Sequence, residues 1–227
     1  MRVMRQLLAL VVPVLVLAAC TSVDHEPTGP GDAAAAAMHG RGSGGSGMGG
    51  MGGYGTLTPA QAETRFMQDM IDHHLMAVDM GKLCPTRVSH QELRALCANV
   101  VTTQGAEIAQ VQGWLKSWYG VAKSPTLSTR DADMLRALAS KVGSAFEIAW
   151  MEEMIPHHHM AIMMAQHLLP LATHSELKAF AQGVVTNQTA EVTLMGGWLA
   201  SWYGRTAMGG GMVGGRMMGG GHGGMGH

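Results

Sequence analysis

Phe66-Met-Gln-Asp-Met-Ile-Asp-His-His-Leu-Met-Ala-Val-Asp-Met80 returns 84 residues later as Trp150-Met-Glu-Glu-Met-Ile-Pro-His-His-His-Met-Ala-Ile-Met-Met164. The offset holds through the rest of both copies. His90-Gln-Glu-Leu93 matches His174-Ser-Glu-Leu177, and Val100-Val-Thr-Thr-Gln104 matches Val184-Val-Thr-Asn-Gln188. Glu107 falls on Glu191, and Trp114-Leu-Lys-Ser-Trp-Tyr-Gly120 on Trp198-Leu-Ala-Ser-Trp-Tyr-Gly204. A gap-free match of this length is a duplication. Reading one repeat therefore reads the fold.

Each repeat predicts two helices. Thr58-Pro59-Ala60-Gln61 has the cap, first-turn proline and reciprocal partner of a helix start. Ser89-x-x-Glu92 and Thr173-x-x-Glu176 read as capping boxes that open the second helices, and Gly143-Ser144-x-x-Glu147 as the opening of repeat two. Gly120 and Gly204 close the second helices, where a left-handed residue is needed. Asp131 to Ser140 predicts a short helix in the connector. No stretch alternates apolar and polar residues as a strand would. Two antiparallel hairpins bury four amphipathic stripes best as an all-α, antiparallel four-helix bundle. It is expected over residues 56–205, with repeat one at 56–120, the connector at 121–143 and repeat two at 144–205.

Positions three and four apart share a helix face. Asp69, His73, Met76 and Met80 form one stripe, and Glu153, His157, Met160 and Met164 form its copy. A neighbouring stripe carries Met70 and His74, with Met154 and His158 as counterparts. Adjacent histidines thus point about 100° apart on a 3.6-residue helix. Methionine at helical spacing usually serves packing alone. Here, however, both copies set two histidines beside a carboxylate and several thioethers, in a chain with 21 methionines and 3 phenylalanines. Thioether and imidazole together suit Cu(I), and imidazole with carboxylate suits Cu(II). These twelve residues are the predicted metal ligands, with copper as the expected ion, Cu(I) ahead of Cu(II) or Ag(I).

Gln104 with Glu107, and Gln188 with Glu191, share faces of the second helices and read either as groups that orient a ligand histidine or as plain polar positions. Pro156, at the place of Asp72, predicts a kink before its three histidines. Trp114/Trp118 and Trp198/Trp202 read as core anchors. His90 and His174, at helix starts, and His159, which has no counterpart, rank lower as ligands.

Outside the repeats the chain is low in complexity. Residues 20–55 form a Gly/Ala-rich linker with Met38, His39, Met48 and Met51. Residues 206–227 carry Met208, Met212, Met217, Met218, His222, Met225 and His227 on a glycine chain. Such segments bury too little apolar surface to fold and are expected to be disordered. The tail donors read as weaker, mobile collectors of soft cations. Arg2 and Arg5 precede an apolar run that ends in Leu17-Ala18-Ala19-Cys20. This reads as a signal peptide over residues 1–19 and a lipobox-like cysteine, Cys20, as the lipidated residue. The expected location is therefore the outer side of a bacterial envelope, with membrane contact only through the lipid. A net charge of −1 gives no electrostatic reason to bind nucleic acid. Cys84 and Cys97 are expected to pair in an oxidising compartment, two thiolate ligands being the alternative.

The paired Met-Ile-x-His-His segments at 70–80 and 154–164, with Gln104/Glu107 and Gln188/Glu191 before the Trp-Leu segments, resemble the domain-of-unknown-function 305 family over about residues 60–204. The resemblance implies a ferritin-like fold, export, and copper binding of the kind some members show. It places the motif on Met70, His73, His74, Met76 and Met80, and on Met154, His157, His158, Met160 and Met164. Expected partners are the metal ion and another copper-handling envelope protein. Two other readings stand beside copper sequestration. A di-iron oxidoreductase would need Glu-x-x-His pairs, whereas Glu107 is followed by Gln110 and Glu191 by Leu194. A structural envelope lipoprotein would leave the sulfur unexplained. The sequence favours a binding protein over an enzyme.

Overall fold

The Thr58 hydroxyl accepts from the Gln61 amide, and the Gln61 side chain accepts from the Thr58 amide at 2.9 Å. With Pro59 in the first turn, this reciprocal cap starts α1, Pro59–Lys82. The computed structural model describes residues 56–206. The expected signal peptide, Cys20, the expected linker and the tail donors from Met208 onward lie outside those residues.

After α1 come a single 3₁₀ turn, Cys84–Thr86, then α2, Gln91–Tyr119, α3, Thr129–Ala139, α4, Gly143–Leu168, and α5, Ser175–Tyr203. All regular structure among the described residues is helical. Gly120 and Gly204 end α2 and α5 with φ of 68° and 63°, the left-handed closure expected of them. α3 begins two residues before the expected start, because Ser128 caps it reciprocally with Asp131. α4 runs through Pro156 without interruption. None of these helices is long and apolar enough to cross a membrane.

Three expected helix starts are built differently. The N-caps of α2 and α5 are His90 and His174, and that of α4 is Val142; none has a side-chain cap. For α2 and α5 the reason lies across the bundle. Glu147, on α4, accepts from the amides of Ser89 and His90, the latter at 3.1 Å. Glu63, on α1, accepts from the amides of Thr173 and His174, the latter at 3.0 Å. A buried carboxylate taking charge-assisted bonds outcompetes a local cap, since it must be satisfied to be buried at all.

α1 packs along α2 and α4 along α5, while α1 also crosses α4 and α3 leans on both. Two apolar clusters result. One gathers Met76, Met80, Cys84, Leu93, Phe146, Trp150 and Met151. The other gathers Phe66, Met67, Met70, Ile108, Leu168 and Leu177. Each draws on both repeats. A disulfide joins Cys84 to Cys97, with Cα atoms 6.3 Å apart, and pins the 3₁₀ turn to α2. Beside it α1 meets α2 at Gly81, where a Cβ would stand 2.7 Å from Val101 Cγ2 and 3.0 Å from the Cys97 carbonyl oxygen. Asp72 holds the connector, accepting from Lys123 Nζ at 2.7 Å and from the Thr126 amide at 2.8 Å.

Candidate metal centre

A belt of polar groups lies between the two apolar clusters, drawn from mid-helix positions of all four long helices; His74, Gln104, His158 and Gln188 are buried, and His73 and His157 are half-buried. His73 and His74 come from α1, Gln104 from α2, His157 and His158 from α4, and Gln188 from α5. The rings of His73 and His157 stack with centroids 3.6 Å apart at an interplanar angle of 28°. His157 Nε2 donates to the His73 carbonyl oxygen at 3.0 Å. Equivalent residues of the two repeats thus meet each other, as at a two-fold axis.

The neighbouring rings turn outward, each to its own hairpin partner. His74 Nε2 stands 2.8 Å from Glu107 Oε2, and His158 Nε2 stands 2.6 Å from Glu191 Oε2. His158 Nε2 hydrogen-bonds Glu191, and since a carboxylate only accepts, that nitrogen carries the proton. The His74–Glu107 contact is similarly close but lacks hydrogen-bond geometry. Nδ1 of His158 and of His157, both ring nitrogens of His73 and of His74, and Oε1 of Gln104 and Gln188 are buried with no hydrogen-bond partner among the described residues. An orphaned buried polar atom costs about 1–3 kcal/mol. So many in one belt are costly for stability alone and invite a ligand.

Burial lowers the ring pKa values, and the neighbouring imidazoles lower them further. His157 falls to about 3, and His73 lies well below its ordinary value. Both are neutral near pH 7 and need release no proton to bind a metal.

The predicted thioethers divide between core and periphery. Met70, Met76, Met80 and Met154 are buried, whereas Met160 and Met164 are half-buried. Asp69 and Glu153 lie at the surface, and Asp69 pairs with Arg65 at 3.6 Å. Among the described residues no three His, Cys, Asp or Glu side chains are grouped closely enough to hold one ion. The belt therefore offers imidazole nitrogens, with thioethers on the same helices, rather than a carboxylate-rich cage.

Sequence reasoning missed a second pair of clusters. Glu63 and Glu147, both fully buried, each accept from a histidine Nδ1 at 2.6 Å, His174 and His90 respectively. Each also accepts from a tyrosine hydroxyl, Tyr119 for Glu63 and Tyr203 for Glu147. The legible signal was the 84-residue match of Glu63 with Glu147 and of Tyr119 with Tyr203.

The domain of unknown function DUF305 matches the chain over residues 63–199 and again over 147–227. The chain belongs to the DUF305 family. Among solved structures, CopM in its Cu(I)-bound form is 29% identical, with a TM-score of 0.56, over 62% of this chain and 97% of CopM. Its Cu(II)-bound form matches at 28% identity and the same TM-score. A DUF305 protein of Streptomyces coelicolor, described as secreted, is 26% identical with a TM-score of 0.56, over 61% of this chain and 92% of that one. No curated protein is a significant match. The Met-Ile-x-His-His segments that mark the DUF305 resemblance are the segments that supply the belt.

Proposed function

We propose that this DUF305 chain is an extracytoplasmic copper-binding protein, a ferritin-like duplicated hairpin that holds Cu(I), and secondarily Cu(II) or Ag(I), for sequestration, buffering or delivery. The observation that carries the reading is the belt, in which four imidazoles present buried, unpaired nitrogens and two of them stand against a carboxylate. Carboxylate backing fixes the tautomer and orientation of a metal-binding histidine and raises its basicity. Sulfur on the same helices favours the soft cuprous ion. The structural likeness to CopM, solved with Cu(I), Cu(II) and silver, supports the same cargo.

Lipidation at Cys20 would tether the protein to the envelope, and the Met- and His-bearing tail from Met208 to His227 would collect ions outside the bundle. Another envelope protein that handles copper is the partner such a reservoir would exchange with. The reading is of a binder rather than an enzyme. Titrating the full chain with Cu(I) against a competing chelator tests it. The expected result is tight binding that falls at least tenfold when His73, His74, His157 and His158 are all changed to alanine. Equal and weak binding by both proteins would overturn it.

A further inference from the structure

The two repeats part company on the outer side of their first helices. Leu75, Asp79 and Leu83 on α1 have His159, Met163 and His167 as their 84-residue counterparts on α4. Between them, Met76 and Met80 match Met160 and Met164. In repeat one that face is closed. α3 leans on α1, and Leu138 packs in one apolar cluster with Met76 and Met80, which are 3% and 0% exposed. Asp79 stays at the margin, in an ion pair with Lys82 at 2.9 Å. After α5, no described residue takes the place of α3. On α4, Met160, Met163 and Met164 are half-buried, and His159 and His167 are exposed. Packing accounts for Met164, which leans on the second apolar cluster. It does not account for Met163, because the same position in repeat one takes an ion-paired carboxylate.

We propose that this open face of α4 is a separate soft-cation site, in which His159, Met160 and Met163 bind one Cu(I) or Ag(I) ion. It rests on the copper reading above for the identity of the ion, but its ligands are not the four belt histidines. α4 is continuous from Gly143 to Leu168, so residues three and four apart stand about 5–6 Å from each other at Cβ. Met163 is thus a neighbour of both Met160 and His159. Long helical side chains lean toward the helix N-terminus. That direction lays the Met163 thioether over the turn that carries the other two donors. Thioether sulfur selects Cu(I), and imidazole suits copper as well. Methionine is flexible enough to close on an ion without moving the helix. The site is single, because Leu75 and Asp79 stand in repeat one where the imidazole and one thioether would be needed. It also differs from the belt in access. The belt nitrogens are buried, whereas His159 faces solvent, so an ion reaches this face without the bundle opening.

The test is a silver titration of the full chain, labelled at methionine methyl carbons and histidine ring nitrogens and read by NMR. H159Q, M160L and M163L assign the three signals, the two leucines being volume-conserving swaps. We expect the Met160 and Met163 methyls and a His159 ring nitrogen to shift together, at the same silver equivalent. We also expect the His159 shift to be lost in M163L while the belt rings respond as in the wild type. Shifts confined to His73, His74, His157 and His158 would overturn this proposal and leave the copper reading intact. A His159 shift that is unchanged in M163L would overturn it too, since the histidine then binds without the thioether. Silent belt rings beside the three shifting signals would support this site and overturn the reading of the belt. The wild-type spectrum carries the joint shift even if a variant fails to fold.

Discussion

The ring of His157 stacks on that of His73 at 3.6 Å, and its Nε2 donates to the carbonyl of the same residue. Two equivalent residues, 84 positions apart, therefore touch at the centre of the molecule with their remaining ring nitrogens buried and unpaired. Replacing orphaned buried polar groups by apolar ones of similar shape is close to neutral or stabilising. We predict that H73L/H157L retains or gains up to about 2 kcal/mol of stability while losing Cu(I) affinity. Urea unfolding, read beside a chelator competition, separates the two effects.

Glu107 and Glu191 act on the belt through His74 and His158, at 2.8 and 2.6 Å. Changing both to glutamine keeps the shape but removes the pure acceptor that fixes the tautomer. A loss of about 10–100-fold in metal affinity is expected for such partners, with the fold intact by circular dichroism. Affinity unchanged within threefold would mean that the dyads are only structural.

The Glu63 clamp predicts an acid limb of stability. The folded value of about 2 lies below the ordinary 4.5. Its contribution is therefore fully present above pH 4.5 and is lost as pH falls toward 2, on the order of 3 kcal/mol in total. Thermal melts across that window should flatten in E63Q, which also starts from a lower Tm at pH 7.

Gly81 sets the approach of α1 to α2. A methyl there would meet Val101 Cγ2 at 2.7 Å and the Cys97 carbonyl oxygen at 3.0 Å. The valine can rotate, but the carbonyl belongs to a helix tied by the Cys84–Cys97 disulfide. Gly81→Ala is expected to cost about 1–3 kcal/mol through overpacking, despite the better helix propensity of alanine. Chemical denaturation of the variant checks the sign.

Much of this was legible in the residues. Thr58-Pro59 and Gln61, Gly120 and Gly204 mark ends that depend on neighbours within four positions, and such signals survive in any tertiary setting. The stripes of α1 and α4 located the histidines, because helical spacing alone decides which residues share a face. The starts of α2 and α5 were misread at Ser89 and Thr173, because the group that satisfies those amides is a glutamate more than fifty residues away. Asp69 and Glu153 fell on the stripes yet lie at the surface, since a stripe names a face without saying how far round the bundle wraps it. For the same reason the partners of Glu107 and Glu191 were left open until the hairpins closed on His74 and His158.

The central claim is that copper sits on the imidazoles of the belt, and X-ray absorption at the copper edge tests it most directly. The full chain, loaded with one equivalent of Cu(I), should show mixed nitrogen and sulfur scattering. The H73A/H74A/H157A/H158A variant, loaded identically, should lose most of the nitrogen component. Sulfur-only scattering, the same in both proteins, would place the copper on methionines alone and contradict the account.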